Sequence, residues 1–403
     1  MEEILVTRKI IKQMRLFYIT RSYAPYDEGG GALMRKWTVD YLTALGWEVQ
    51  VVRPEYDQQV FYREENVLNI PFKQRYRQKL LSLFERVGLY EDYLDPWVVS
   101  TLPYLLRVIT KEDIVFCTSG GELGTIKLGA LLKEKIGCKF VANFRDPLNY
   151  GYMQGLRRDK KPHVGRIRTQ RKYLSQADLI LTSSKRYCEI LKIGFPEFEN
   201  KLRNNYFGFG RLPNQKNIER KKTKQYTIAY TGNLSKTQKP EFIFDVVRNQ
   251  DFENLKIVFI GKVAEHRFDL ADIQCEVEFV ETMPHDTFQK YMLENIDIGL
   301  VSLASDYYGA CVPSKLYEYI SLNLPILGFL PLGDAADIIN QNCFGLATKW
   351  GDIEAARNAL KKITQPAQLT KFAQNVSIHK EEWSMKHRVC ELDGMLKSLN
   401  DGN

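Results

Sequence analysis

Between Ser305 and Phe329 the chain reads SDYYGACVPSKLYEYISLNLPILGF: a loop, a helix opened by Pro313, and a short buried strand. Proline suits a first helical position, because the N–H it lacks would be unpaired there anyway. Ser314 and Lys315 fall in the first turn, where free backbone N–H groups and the helix dipole favour an anion. One turn after Ser314, Glu318 offers a carboxylate able to accept from two sugar hydroxyls. A phosphate seat followed by a hydroxyl clamp is what a nucleotide diphosphate needs.

Three other stretches could complete such a site. YAPYDEGGGALMRKW places glycines, Gly30 and Gly31 among them, between a strand and a helix, where bare backbone can approach a phosphate. TGNLSKTQKPEF repeats that geometry later in the chain, with Asn233, Lys236 and Lys239 near a helix start, and its lysines could neutralise a departing diphosphate. FRDPLNY ends a strand with Arg145 and Asp146. In a parallel sheet both should face the ligand crevice, where Asp146 could hold or deprotonate an acceptor hydroxyl. Each stretch has a plainer reading: a structural glycine turn, a solvated basic loop, an Arg–Asp pair bracing its own loop.

The elements that must position these residues follow an α/β rhythm. Strands are expected at 15–20, 48–52, 113–117, 139–144 and 178–183, with a helix over 32–45 capped by Gly46. Strand, glycine loop, helix, glycine, strand is a βαβ unit and hence a parallel sheet. RLPNQKNIERKKTK, at 211–224, is polar and unpatterned, and reads as a linker. A second series follows, with strands at 226–230, 256–260, 277–280, 298–301 and 325–329 and a helix over 241–249. The expected organisation is a first domain over 1–210, the linker, a second domain over 225–380, and a tail helix over 381–403 packed back across the domains. The segment 66–110 differs. It is basic and aromatic, and reads as two helices on the sheet or as a surface lying on an anionic membrane, with Phe72 to Val87 as the contact.

Composition narrows the class. The 403 residues allow about two or three domains. Hydrophobic residues at 44% and charged residues at 26% describe a folded protein. No apolar run approaches the roughly 18 residues of a spanning helix. MEEILVTRKIIKQ lacks the pattern of a signal peptide. Seven scattered cysteines without a CxxC pair read as free thiols, so a cytoplasmic location is expected. The net charge of +8 suits nucleotide phosphates or an anionic membrane, while the basic tract 157–172 lacks a nucleic-acid-binding module. The five histidines are dispersed, away from the loops above, and no Asp-x-Asp occurs, so no metal or other cofactor is expected. There is no P-loop and no nucleophile elbow.

With these motifs in order, the chain resembles the retaining glycosyltransferases of family 4, which have the GT-B fold. The likeness runs through YAPYDEGGG, FRDP, DLILTSS, YTGNLSKTQK and FVETMPHDTFQKYMLENIDIGLVSL into VPSKLYEYISLNLPIL. It implies two Rossmann-like domains facing across a cleft, the nucleotide sugar mainly on the C-terminal domain and the acceptor on the N-terminal one. The C-terminal helix would cross back to the N-terminal domain. Gly30 and Gly31 would approach the diphosphate, Lys239 matches the family's diphosphate lysine, Glu318 the glutamate that binds ribose hydroxyls, and Met283 would lie beside the base. Two departures stand out. The first carboxylate of the family's E-x7-E is Ala310, and the diphosphate arginine falls on Asn233, for which Lys236 and Lys315 are expected to compensate. Asn205 occupies the place of the family's NG turn. The implied activity is transfer from a nucleotide sugar, a UDP-sugar first and GDP-mannose second. The acceptor would be a glycan or lipid-linked acceptor in bacterial-type surface polysaccharide assembly, on the inner face of the membrane. Asp146, Lys239 and Glu318 would be catalytic. The rivals are a GT-B protein that only binds a glycan or partner enzyme, and a sugar-nucleotide epimerase.

Overall fold

The computed structural model describes residues 14–27, 29–72, 91–148, 164–212, 225–232, 234–235, 237–252, 254–262 and 268–401. Two sheets organise them. The first contains β1 (Arg15–Ile19), β2 (Glu48–Glu55), β3 (Tyr62–Glu64), β4 (Val67–Pro71), β5 (Ile114–Gly120), β6 (Lys139–Asp146), β7 (Leu179–Thr182) and β8 (Leu202–Asn204). Their spatial order is β3-β4-β2-β1-β5-β6-β7-β8, and only β3 and β4 pair antiparallel. The second contains β9 (Tyr226–Thr231), β10 (Leu255–Ile260), β11 (Glu276–Val280), β12 (Ile298–Ser302), β13 (Ile326–Phe329) and β14 (Gly345–Thr348), in the order β11-β10-β9-β12-β13-β14, all parallel. ILGF is apolar throughout, and LKIVFI is apolar but for Lys256, because helices cover both faces of a parallel sheet.

Among the parallel strands of each sheet the order reverses between β1 and β5 and between β9 and β12. Crevices outside the carboxyl ends of strands at such points are where open α/β sheets take ligands. The residues that follow β1 and β9 meet across one cleft, so the fold sets two switch points face to face.

Several boundaries depart from the sequence reading. β2 runs on to Glu55 because Arg53 and Glu55 form a buried ion pair at 3.0 Å, so charged residues continue an apolar strand. Within the 66–110 segment the described residues supply β4 and the helix Asp95–Val108; of the expected membrane contact over Phe72 to Val87, Phe72 is buried in the core, and residues 73–87 lie outside the described residues. Most of the linker, 213–224, lies outside them as well. The first helix begins at Gly30, so Gly30 and Gly31 belong to its first turn and Gly29 (φ 95°) precedes it as the cap. Pro313 likewise caps its helix from outside, and Ser314 is the first helical residue.

The two halves are joined at two places. The C-terminal helix Met385–Asp401 packs on the helix Gly30–Ala44 of the first half, as expected. Trp47 Nε1 donates to Asp393 Oδ1 at 2.7 Å, and Phe209 exchanges backbone hydrogen bonds with Trp383 and Met385. Asn205 Nδ2 donates to the carbonyl of Arg388 at 3.1 Å on the same crossing. The second join is more unusual. Asp334 opens the helix Asp334–Gln341 of the second half and is 3% exposed. Its Oδ1 accepts from the backbone N–H of Lys185 (2.7 Å) and from Tyr206 Oη (2.5 Å), and its Oδ2 from Ser184 Oγ (2.6 Å) and the N–H of Arg186 (3.0 Å). A carboxylate of one half thus caps the helix Lys185–Gly194 of the other.

Asp334→Ala should destabilise the protein by on the order of 3 kcal/mol, because buried donors lose a charged acceptor. Denaturant unfolding checks this; a loss below about 0.5 kcal/mol, typical of a surface site, would show that the join carries no load.

Candidate functional site

Two helix N-termini face each other across the cleft. The helix Gly30–Ala44 and the helix Ser314–Ser321 both start from caps, Gly29 and Pro313, that offer no side-chain hydrogen bond. The N–H of Ala32 bonds to the Gly29 carbonyl at 3.1 Å and that of Leu316 to the Pro313 carbonyl at 3.0 Å, which leaves Gly30, Gly31, Ser314 and Lys315 as the first-turn N–H groups without an intrahelical acceptor, and both dipoles point positive ends at the same space. The approach is close: a Cβ on Gly30 would lie 3.1 Å from Ser314 Oγ, so the absence of a side chain lets the two ends meet. A Cβ on Gly31 would lie 2.9 Å from Arg145 Nη1, which donates to the Gly31 carbonyl at 2.8 Å.

Around this meeting lies a cavity of about 590 Å³. The first half contributes Gly30, Leu33, Met34, Trp37 and Phe209; the second contributes Thr231, Gly232, Gln238, Met283, His285, Phe288, Ser314, Lys315 and Glu318, among others. A second cavity of about 350 Å³ adjoins it, lined by Gly31, Gly120, Arg145, Asp146, Tyr308 and Cys311 among others. Gln238 and Ser314 line both, so the two spaces share a wall.

Lys315 is the dominant charge of the larger cavity. Its Nζ donates to Tyr230 Oη at 2.9 Å and lies 4.1 Å from the centre of that ring. Tyr230 in turn hydrogen-bonds Gln238, which fixes the side chain shared by the two cavities. Burial, with no carboxylate to offset it, pushes the Lys315 ammonium down to about 7. At the other end Glu318 accepts from Gln289 Nε2 at 3.3 Å; burial raises its carboxyl, and the neighbouring His285 and Gln289 oppose that. A cation and two helix N-termini at one end, a carboxylate beside Met283 and Phe288 at the other, can hold a phosphate chain, a hydroxylated ring and a flat base in that sequence.

The structure brings together Gly30, Met283, Ser314, Lys315 and Glu318 in the larger cavity and Gly31, Arg145 and Asp146 in the smaller. Lys239 stands apart. It lines neither cavity, is exposed at φ 41°, and its ammonium sits 5.6 Å from the centre of the Trp350 ring. Asn233 and Lys236 lie outside the described residues. Ala310, where the resemblance expects a carboxylate, is fully buried and packs into the apolar cluster of the first half. That position is a dry contact between the halves, leaving Asp146 as the carboxylate of the smaller cavity. Burial first, and Asp146 next, push the adjacent Cys311 thiol upward.

The histidine reading needs correction: His285, at the start of a helix, lines the larger cavity with Glu318. Tyr230, Gln238 and Gln289 also escaped the sequence. Tyr230 lies inside an apolar strand and reads as core; Gln289 lies in a helix whose period shows only its packing face. Among the described residues, no group of three or more His, Cys, Asp or Glu side chains could hold a metal ion. Nor is any described helix long and apolar enough to cross a membrane.

Residues 213–377, which carry most of the larger cavity's wall, match the family described as Glycosyl transferases group 1. No curated protein matches the sequence. Among solved structures, a sucrose-phosphate synthase from Thermosynechococcus elongatus superposes with a TM-score of 0.71 at 14% identity, over 97% of this chain and 100% of that one. A structure named trehalose-6-phosphate from E. coli, bound with UDP-2-fluoro glucose, gives 0.64 at 12% over 95% and 99%. The Anabaena protein HepE in complex with UDP-glucose gives 0.60 at 12% over 96% and 100%. The whole chain therefore shares the GT-B fold of these proteins, two Rossmann-like halves across a cleft.

Proposed function

We propose that this protein is a glycosyltransferase that moves a sugar from a nucleotide-sugar donor, a UDP-sugar first and GDP-mannose second, to a glycan or lipid-linked acceptor. The observation that carries the reading is the meeting of two uncapped helix N-termini beside a buried lysine without a counter-anion, with Glu318 on the same wall. The matched family over 213–377 supports it. The donor diphosphate lies between Gly30 and Ser314–Lys315, the ribose hydroxyls donate to Glu318, and the base lies against Met283 and Phe288. The transferred sugar lies by Gln238 and Ser314, where the cavities adjoin. The acceptor enters the smaller cavity, and Asp146 orients its hydroxyl. As the bond to the diphosphate breaks, negative charge grows on the phosphate that Lys315 and the helix N-termini face, so these groups favour the transition state over bound donor. Configuration is retained, the departing phosphate taking the acceptor proton. Lys236 and Lys239 add charge to that phosphate, Lys239 by leaving Trp350. The product enters a bacterial-type surface glycan assembled at the inner membrane face, with the basic segment 73–87 as the membrane contact.

His285 beside Glu318 favours one rival, a sugar-nucleotide epimerase. Incubating the protein with a panel of UDP- and GDP-sugars separates the two. Release of the nucleoside diphosphate with a free or transferred sugar supports transfer; an intact epimerised donor would overturn it, and an unchanged panel would leave a protein that only binds.

Two outcomes follow from the donor pose. Glu318→Gln should weaken UDP binding roughly ten- to hundredfold, the worth of hydrogen bonds to a charged group. Binding of pyrophosphate, which has no hydroxyls to clamp, should stay unchanged, and equal losses for both ligands would remove the ribose role. The second outcome concerns pH. In the free protein Lys315 titrates at about 7, and a bound diphosphate raises that value. UDP binding at pH 8 should therefore take up a proton, and affinity should fall between pH 7 and 9 by up to about tenfold per pH unit. Calorimetry in buffers of different ionisation heat reads both effects. They should vanish in Lys315→Met, and equal wild-type affinity at pH 7 and 9 would contradict the assignment.

A further inference from the structure

Three arginines converge at the carboxyl end of the first sheet, Arg145 on the wall of the smaller cavity and Arg21 and Arg35 behind it, and the pose above gives them no work. Arg21 follows β1, Arg35 projects from the helix Gly30–Ala44, and Arg145 lies near the end of β6. A Cβ on Gly120 would lie 3.2 Å from Arg35 Nη2 and 3.3 Å from Arg21 Nη2, so this glycine of the cavity wall lets both guanidinium groups lie directly behind it, in the wall that Arg145 lines. The place is the β1/β5 switch point of the first sheet.

The cluster is short of anions. Arg35 is 2% exposed; one of its amino groups donates to Ser22 Oγ, and its Nε has no hydrogen-bond partner. Arg145 stacks 4.7 Å from the centre of the Phe207 ring, and its buried Nε is also unpartnered. The acid in the group is Glu122, whose Oε2 pairs with Arg21 at 3.1 Å and accepts from the Gly120 N–H at 2.9 Å. Among the described residues no carboxylate lies within ion-pair distance of Arg35 or Arg145. Burial, and then the charge of Arg145, push Arg35 down to about 10. A buried cation beside a half-buried one, neither of them ion-paired, weakens the folded state, and such an arrangement is retained where a ligand brings the missing charge.

We propose that the acceptor carries a phosphate group, bound in the smaller cavity by Arg35 and Arg145 with the half-exposed Arg21 at its edge. The inference rests on the glycosyltransferase reading and names its acceptor class. Guanidinium forks match phosphate oxygens two at a time, and the orphaned N–H groups are the donors such a ligand would occupy. The cavity shares Gln238 and Ser314 with the donor space, so an acceptor anchored there presents its hydroxyl where the donor sugar lies. The phosphate could belong to a soluble sugar phosphate or to a prenyl phosphate carrier; the recognition chemistry is the same.

The test uses the full chain saturated with UDP, so that the donor seat is already filled. Inorganic phosphate, a hexose 6-phosphate, the matching free hexose, glucuronate and a short-chain prenyl phosphate are titrated at constant ionic strength. Hexose 6-phosphate or prenyl phosphate should bind roughly ten- to hundredfold more tightly than the free hexose, and which one does so identifies the source. Both Arg35→Met and Arg145→Met should abolish that preference. Arg35→Met should also melt no lower than wild type without ligand, because it removes an unpaired buried charge, whereas a bracing arginine would lower the melting temperature. Arg35→Lys, which keeps the charge, should retain part of the phosphate preference. The proposal is overturned if no phosphate binds while UDP does, if phosphate binding survives both methionine variants, or if glucuronate binds as tightly as the phosphates. If UDP does not bind but arginine-dependent phosphate binding does, the donor reading falls and the anion site stands.

Discussion

The cleft depends on one carboxylate that belongs to the wrong half of the molecule. Asp334 starts a helix in the second half and caps the start of another in the first, with four donors on its two oxygens. Because the contact is buried and directional, it sets the relation of the two sheets more tightly than an apolar patch could. Together with the returning C-terminal helix it places the helix starting at Gly30 against the helix starting at Ser314. The close approach of those two ends gathers both N-termini in one cavity, and neither half has that pairing alone. Ala310 belongs to the same constraint: it is dry because the halves touch there, and a carboxylate at that position would have to be buried in an apolar cluster.

Within this frame the site is built from cations that lack anions. Lys315 is held by a tyrosine hydroxyl and ring, and Arg35 by a serine, where a folded protein ordinarily supplies an acid. The unpaired charges sit at the switch points of the two sheets, one set in each cavity, on either side of Gln238 and Ser314. A two-substrate reaction with an anionic group on each substrate would use both.

How much of this was legible in the sequence depends on whether the deciding contact is local. Ser314, Lys315 and Glu318 were readable because a helix start and the spacing of one turn are local facts, and Gly30 because a glycine-rich turn is one too. Lys239 shows the limit. Its motif is local, but its direction is decided by Trp350, more than a hundred residues away. Arg35 carried no local signal at all; its burial against Gly120 of β5 is a tertiary fact. The strand β4 was hidden inside a basic, aromatic segment whose composition suggested helices, and the end of β2 was hidden by a buried ion pair. Asp334 gave no signal, since an aspartate at a helix start normally serves its own helix.

The central claim is that the two helix N-termini and Lys315 hold a nucleotide diphosphate. A crystal structure of the protein with UDP tests it most directly. The account predicts the diphosphate within hydrogen-bond distance of the first-turn N–H groups at Gly30 and Ser314 and of Lys315 Nζ, with the ribose hydroxyls on Glu318. A nucleotide bound with its phosphates in the smaller cavity, or with Lys315 still turned to Tyr230 and Glu318 free of the ribose, would contradict it.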